Sequence, residues 1–293
     1  MDHITFLVTV FCEIDDGMKT IPRLRERGPQ PVLADSEVLT IEVMGEFLGL
    51  DTDQELYQHF RRYYADWFPG LSQVSRVTFA RQAANLWQVK EQLWQHVLRQ
   101  LAIDPLVSVV DSFPVPVCRF ARAYRCRRLS DLAAFGYDEL ARQTFYGLRA
   151  HVRIAWPGVI VGLVLTPANV HDLTALDALA DQATGWVLGD RNYWSPARRD
   201  LLAQQDIQLL APYKSVKREQ TPWPRWLTWM RRRVETVIGQ LVDRYQAKTV
   251  WARDVWHLSS RWLRKILSHT FAFLLCQRSG FDSPLRFADL LSD

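Results

Sequence analysis

The chain has 293 residues, of which 48% are hydrophobic, so it can build one large domain or two modest ones around a substantial core. Its formal net charge of +4 is basic without being extreme, so the clustering of charge is more informative than its sum. The four cysteines form no CxxC pair. This argues against a zinc site and a disulfide scaffold and favours a reducing cytosol.

The N-terminus has an apolar run, but it lacks a basic start and leads into acidic residues, which is a poor pattern for a signal peptide. No apolar stretch of the sequence reaches membrane-spanning length. We therefore expect a soluble, cytoplasmic protein.

Residues 1–103 have the pattern of a helical domain. Asp35 is the expected N-cap of an amphipathic helix, residues 53–64 form a second, and helical spacing continues from Thr78 to Leu101. The turn at 72–78 resembles the entry to a helix that lies in a DNA groove. Exposed arginines near the turns favour DNA binding and dimerisation by this domain: Arg61, Arg62, Arg76 and Arg81. A helical bundle that only supports the rest of the chain remains the alternative.

Two apolar runs in the middle of the chain each end at an aspartate. Residues 106–110 predict a buried strand that delivers Asp111, and Pro114 then prevents it from continuing as a central strand. Residues 186–188 predict a second strand, followed by Asp190. A third carboxylate, Glu235, lies in a segment with helical spacing.

Two aspartates at strand ends and a glutamate on a later helix suit a site for metal-dependent phosphoryl transfer. Mg²⁺ takes oxygen ligands and is usually held by a few carboxylates together with substrate phosphates. A two-metal site activates the attacking oxygen and stabilises the leaving one. A single aspartate at a strand end is more often a cap or turn residue, so the prediction depends on all three.

The predicted elements of residues 104–245 alternate between strands and helices. A hairpin at 145–166 is followed by a helix with Asp172 as its N-cap, the Asp190 strand, a helix from Pro196 to about 205 and a strand at 207–212. This order predicts an α/β fold, with a mixed sheet and helices on its faces. Asp111 and Asp190 would then lie at the carboxyl ends of neighbouring strands.

The insertion at residues 115–143 has no clear period and carries five arginines beside aromatic residues. Arginines with aromatic rings suit contacts to phosphates and bases. We favour contact with DNA, and a mobile, solvated loop is the alternative. The arginines are Arg119, Arg122, Arg125, Arg127 and Arg128.

The ordered motifs resemble the catalytic domain of bacterial insertion-sequence transposases of the DDE type, which have a ribonuclease H-like fold. The similarity spans residues 105–242, nearly half of the chain. It rests on five pieces: Val109-Val110-Asp111-Ser112, Tyr146-Gly147-Leu148-Arg149-Ala150-His151, Thr166-Pro167-Ala168-Asn169-Val170-His171-Asp172, Gly189-Asp190-Arg191-Asn192-Tyr193 and Arg232-Arg233-Val234-Glu235.

The resemblance implies that Asp111, Asp190 and Glu235 bind two Mg²⁺ or Mn²⁺ ions. It also implies an enzyme that cuts the ends of an insertion sequence and joins the freed 3′-hydroxyl to target DNA. Tyr193 matches a tyrosine of the family, and Arg231 and Arg232 are expected to contact DNA. Thr228 and Val242 stand where many relatives have a tyrosine and a lysine, which puts the handling of the transferred strand in doubt.

Several features remain open at this level. His151, expected on the exposed side of the hairpin, and His171 could approach the metals, but each is more often an ordinary hydrogen-bonded histidine. Residues 246–293 form a helical segment, and six tryptophans mixed with arginines fall between Trp223 and Trp262. Two ends must be handled together, which favours a homodimer. A hydrolytic nuclease of the same fold and a DNA-binding regulator without catalysis are the alternative functions.

Overall fold

The structure, a computed structural model, describes residues 1–22, 30–213, 223–250 and 252–291. It divides into two compact units, which we call the helical unit and the α/β unit. The helical unit comprises Met1–Leu101 and Leu241–Asp293, and the α/β unit comprises Ala102–Gln240. The boundaries drawn from the sequence, at 103/104 and 245/246, left the C-terminal segment by itself. The structure instead places that segment in the same unit as the N-terminal helices.

The helical unit contains six α-helices in the part of the chain that is described. They are α1 (His3–Lys19), α2 (Asp35–Phe47), α3 (Asp53–Tyr63), α4 (Arg76–Asn85), α5 (Trp87–Leu98) and, after the α/β unit, the C-terminal helix Val255–Arg278. Asp35 is the first residue of α2 and not its cap, which is Ala34. The Glu37 carboxylate accepts a hydrogen bond from the Ala34 backbone N–H at 2.6 Å.

The helix expected from Thr78 to Leu101 is broken at Leu86 into α4 and α5. The carbonyl of Ala83 accepts bonds from Lys90 Nζ and from Ser260 Oγ, both at 3.0 Å. Side chains that insert into the i→i−4 ladder break or bend a helix. One of these donors lies 177 residues away along the chain, so the break is not visible in the local pattern.

The α/β unit holds a six-stranded mixed sheet with the order β2-β3-β1-β5-β6, and β4 pairs with β3. The strands are β1 (Asp104–Pro116), β2 (Ala134–Asp138), β3 (Gln143–Trp156), β4 (Val159–Pro167), β5 (Gly185–Leu188) and β6 (Ile207–Leu210). Its helices are α6 (Asp172–Ala180), α7 (Pro196–Ala203) and α8 (Arg225–Gly239); the C-terminal helix is therefore α9. The mixed sheet with flanking helices and the helical N-terminal region are as predicted.

Strand β1 does not end at Asp111 but runs on to Pro116. It pairs antiparallel with β3 as far as Pro116, whereas its parallel pairing with β5 covers Val107–Val109. Proline lacks the N–H that a ladder needs and is tolerated where a strand has no donor to supply. Pro114 and Pro116 lie beyond the stretch that pairs with β5, so their missing donors leave that pairing intact.

The insertion at 115–143 contains one strand that the sequence did not predict. β2 pairs antiparallel with the first residues of β3, from Ala134 opposite Gly147 to Asp138 opposite Gln143. A short 3₁₀ turn, Phe120–Arg125, lies before it. Over the described ranges of the chain, no helix is long and apolar enough to cross a membrane.

Candidate active site

Asp111 and Asp190 lie side by side at the end of the parallel pair β1 and β5. Val109 of β1 is the register partner of Leu188 of β5. Each aspartate follows two residues after these paired positions. Ligand sites of open α/β sheets occur outside the carboxyl ends of the strands, and this is where the structure brings the two carboxylates together.

The two carboxylates are held where ionisation is disfavoured. Burial, with a smaller contribution from the negative charge of Asp190, raises the pKa of Asp111 to about 7, against the opposing effects of the Ser112 N–H bond and the positive charge of Arg231. Burial also raises the pKa of Asp190, again against Arg231. Perturbed carboxylates that share a sheet edge are typical of functional sites, because a bound cation would relieve the repulsion.

Local backbone hydrogen bonds orient both side chains. Asp111 Oδ1 accepts from the Ser112 N–H at 2.7 Å, and Asp190 Oδ1 accepts from the Asn192 N–H at 2.9 Å. The second bond caps the 3₁₀ turn Arg191–Tyr193. A Cβ on Gly189 would lie 2.6 Å from the Cβ of Tyr193, so glycine is needed for the turn to fold back on itself.

Tyr193, expected to contact DNA, is buried in this structure at 0% exposure. It packs in an apolar cluster with residues of α6 and α7, among others. Its hydroxyl has no hydrogen-bond partner among the described residues. Burial raises its pKa well above the usual value, and the charges of Asp172, Asp111 and Asp190 add to that. The hydroxyl therefore lies among acidic side chains and not at a surface that DNA could reach.

Glu235 lies exposed on α8, four residues after the half-buried Arg231. Residues four apart share one face of a helix, so Glu235 is on the side from which Arg231 acts on the two aspartates. Within the described ranges, no group of three His, Cys, Asp or Glu side chains is placed to hold a metal ion. The structure thus brings together two of the three predicted ligands, and Glu235 does not complete a metal-binding group with them.

The acidic pair nevertheless fits a hard cation. Mg²⁺ is commonly held by one or two carboxylates, with water and substrate phosphates completing its shell. The buried Tyr193 hydroxyl, which is influenced by the charges of both aspartates, has no hydrogen-bond partner among the described residues, so the hydrogen-bonding capacity of the site is not fully used by protein groups.

His151 is fully buried, contrary to the exposed position expected from the hairpin pattern. Its Nε2 lies 2.8 Å from Thr166 Oγ1 on β4. Burial lowers its pKa to about 4, so the ring is neutral at neutral pH. His171 is exposed and acts as a cap, since its Nδ1 accepts from the Leu173 N–H at 3.2 Å.

All five arginines of the insertion are exposed, as is Arg232 on α8. The segment is anchored by aromatic contacts, because the rings of Tyr124 and Tyr146 lie 5.2 and 5.0 Å from that of Phe135. These contacts tie the 3₁₀ turn to β2 and β3. The arginines are therefore presented from a segment anchored to β2 and β3, and β3 is the neighbour of the strand that carries Asp111.

The tryptophans of the C-terminal third are divided between surface and core. Trp226 and Trp229 of α8 are exposed and pack against Trp186 and Trp156 of the sheet, with ring centroids 5.5 and 4.9 Å apart. Trp262 of α9 is buried in the helical unit. Trp251 lies outside the described residues.

Asp172 lies near the two aspartates, and the sequence did not predict this location. It was expected to cap α6, but His171 is the cap, and Asp172 is the buried first residue of the helix. Its partners are Ser112 and Asn192, 60 and 20 positions away. Since a carboxylate at a helix start has the same local pattern in either role, only the tertiary contacts distinguish the two.

Comparisons with known proteins identify the family of the chain. Among solved structures, the chain is similar to a piggyBac transposase in a synaptic complex with hairpin DNA, with a TM-score of 0.47 and 10% identity. The match covers 99% of this chain and 79% of that one, and it is too weak to carry an assignment. No curated protein matches the chain. Residues 104–253, just over half of the chain, match the family model of the transposase DDE domain, and the protein therefore belongs to that family.

Proposed function

We propose that this protein is the transposase of a bacterial insertion sequence, which cleaves the element ends and joins the freed 3′-hydroxyl to target DNA. The observation that carries the proposal is that Asp111 and Asp190 lie together where the parallel pairing of β1 with β5 ends. We further propose that the mixed sheet with its flanking helices is a ribonuclease H-like fold. Family membership supports both statements.

Transposases of this family generally use divalent metal ions. In our proposal Asp111, Asp190 and Glu235 hold two Mg²⁺ or Mn²⁺ ions, which would activate the attacking oxygen and stabilise the leaving oxygen of the phosphate. The chain itself prepares the site by keeping two carboxylates close against their mutual repulsion. Arg231 offsets part of that repulsion.

Glu235 is the part of the proposal that requires a change in geometry. Glu235 is exposed and shares a face of α8 with Arg231, which acts on the acidic pair, but it does not form a metal-binding group with that pair. We propose that Glu235 reaches the aspartates when DNA is bound. Repulsion between a third carboxylate and the other two gives a physical reason for its separation in the free protein.

DNA is the proposed partner, as element ends and as target. The exposed arginines 119, 122, 125, 127 and 128, with Arg231 and Arg232, would neutralise backbone phosphates near the cut. Because backbone contacts carry no sequence information, recognition of the ends is assigned to residues 1–103. A homodimer would bring two ends together.

The test is a strand-transfer assay with Mg²⁺, DNA carrying the element's own ends and a target plasmid. Wild-type protein should give joined products, and Asp111→Asn, Asp190→Asn and Glu235→Gln should each abolish cleavage. All three should bind end DNA as tightly as wild type, because phosphate affinity comes from arginine and lysine. Asp200→Asn, on the exposed surface of α7, is the matched control and should cut normally.

The other outcomes separate the alternative functions. Cut ends without joined product would indicate a hydrolytic nuclease. Binding of end DNA by wild-type protein with no reaction at all would indicate a regulator. Near-normal cutting by Glu235→Gln alone would remove that residue from the metal site and leave the aspartates in it.

A further inference from the structure

A third acidic side chain, Asp172, is buried close to the proposed metal ligands. It is 6% exposed, and its charge raises the pKa of both Asp111 and Asp190. A third negative charge makes the pair harder to ionise, so stability of the free protein does not explain its presence. His171 already caps α6, which leaves the Asp172 carboxylate to other contacts.

Both oxygens of Asp172 accept hydrogen bonds from the two segments that carry the aspartates. Ser112 Oγ donates to Oδ1 at 2.8 Å, and Ser112 directly follows Asp111. Asn192 Nδ2 donates to Oδ2 at 3.4 Å, and the backbone N–H of Asn192 binds Asp190. One carboxylate on α6 therefore joins β1, just after Asp111, to the turn after β5.

The surroundings hold this carboxylate in a fixed orientation. Arg149 Nη1 lies 3.8 Å from Oδ1 and also donates to Ser112 Oγ at 3.3 Å. His151 Nδ1 lies 3.6 Å from the same oxygen and has no hydrogen-bond partner in the described part of the chain. The buried Tyr193 hydroxyl, also without a partner there, lies in the field of all three aspartates.

Two buried polar groups without partners beside three acids indicate a site that is incomplete until a ligand binds. The Asp172 carboxylate already accepts hydrogen bonds from Ser112 and Asn192 and lies beside Arg149. We therefore interpret it as a residue that positions the metal ligands and not as a ligand itself. Partners that hold metal-binding side chains in place typically change metal affinity by about 10–100-fold when removed.

We propose that Asp172 is a positioning residue: through Ser112 and Asn192 it sets the separation of the Asp111 and Asp190 carboxylates for a divalent cation. The inference rests on the proposed function, since it assumes that the two aspartates bind metal. It adds Asp172 as a residue that contacts neither substrate nor metal and that fixes the positions of Asp111 and Asp190, which would bind the metal.

The test measures the Mg²⁺ or Mn²⁺ concentration at the midpoint of the metal-induced rise in melting temperature of the full chain. Each variant is compared with its own metal-free protein, so a general loss of stability does not affect the readout. Asp172→Ala should raise the midpoint by about tenfold or more. Asp172→Asn retains two hydrogen-bonding groups of the same shape and should raise it less. Asp177→Ala, an exposed position on the same helix, should leave it unchanged.

A double-mutant cycle tests the route of the effect. Ser112→Ala/Asn192→Ala should weaken metal binding about as much as Asp172→Ala, and adding Asp172→Ala to it should change little. If Asp172→Ala does not fold, the double variant still tests the proposal, because it removes the hydrogen-bond donors of Ser112 and Asn192 and keeps Asp172. The proposal would be overturned if the midpoint of Asp172→Ala, or that of Ser112→Ala/Asn192→Ala, stayed within about twofold of wild type. It would also be overturned if the triple variant raised the midpoint by the product of the two separate effects.

Asp111→Asn and Asp190→Asn distinguish the two levels of inference. If both abolish the metal-induced shift and Asp172→Ala leaves the midpoint unchanged, only the role of Asp172 is wrong. If neither abolishes it, the metal lies elsewhere, and the proposed function and the role of Asp172 are both wrong.

Discussion

The two units bury charge in opposite ways. In the helical unit, buried charges of opposite sign are paired: Lys90 Nζ lies 2.7 Å from Glu42 and 2.7 Å from Ser260 Oγ. Arg264 and Lys265 of α9 contact Glu46 of α2. Lys90 and Arg264 are completely buried. Because partners come from α2, α5 and α9, the network specifies how these helices pack together.

In the α/β unit, charges of the same sign gather instead. The charges of Asp190 and Asp172 raise the pKa of Asp111, and the charges of all three aspartates raise the pKa of Tyr193. The Tyr193 hydroxyl and His151 Nδ1 have no hydrogen-bond partner among the described residues. The first arrangement pairs each buried cation with a carboxylate of the protein, whereas the second gathers carboxylates that a bound cation would neutralise. Proteins depart from internal consistency at functional sites, and this contrast separates a structural network from a candidate active site.

The largest effect should come from breaking the buried pair in the helical unit. Lys90→Met leaves Glu42 without its closest cation and should lower the free energy of unfolding by about 3–5 kcal/mol, as found for buried pairs that lose one partner. Urea unfolding followed by circular dichroism measures it. Lys90→Met/Glu42→Leu should recover most of the loss, and Lys19→Met, in the exposed cluster with Asp15 and Asp16, should behave like wild type.

A smaller effect is expected from acid, because the helical unit also buries His269. Burial lowers the pKa of this residue to about 3 in the folded state, against 6.5 when it is exposed. The stability contribution is therefore intact above pH 6.5 and is lost as the pH falls from 6.5 toward 3. At about 1.4 kcal/mol per unit, the loss from this group reaches about 2 kcal/mol at pH 5.

His269→Phe tests this dependence, since its ring packs against those of Phe287 and Tyr245. The difference in unfolding free energy between the variant and wild type should change by this amount between pH 7 and 5. A difference that is constant with pH would mean that His269 does not titrate on unfolding.

The smallest effect should have the opposite sign to that of Lys90→Met. Asp190→Asn keeps an oxygen for the Asn192 N–H but removes one of the like charges, so metal-free protein should gain on the order of 1 kcal/mol in stability. Unfolding in the presence of a chelator measures it. A destabilisation as large as that of Lys90→Met would make the acidic cluster a structural network like the other, and the contrast between the units would disappear.

Much of the sheet was predictable, because strand patterns are local. The hairpin β3–β4, the strands β5 and β6 and the helices between them all appear close to the expected positions. β2 was missed because residues 115–143 have no period of their own. The strand exists through its pairing with β3, which begins two residues earlier than the pattern indicated.

The sequence by itself determined that two apolar strands carry Asp111 and Asp190 to one edge of a mixed sheet, since alternation and burial are encoded in neighbouring residues. It also determined the helical character of the first hundred residues. Contacts made only in the folded chain bury His151, bring Asp172 against Ser112 and Asn192, leave Glu235 outside any metal-binding group of three among the described residues, and place α9 in one unit with α2 and α5. Each of these depends on contacts between residues far apart in the chain, for which a linear pattern has no signature.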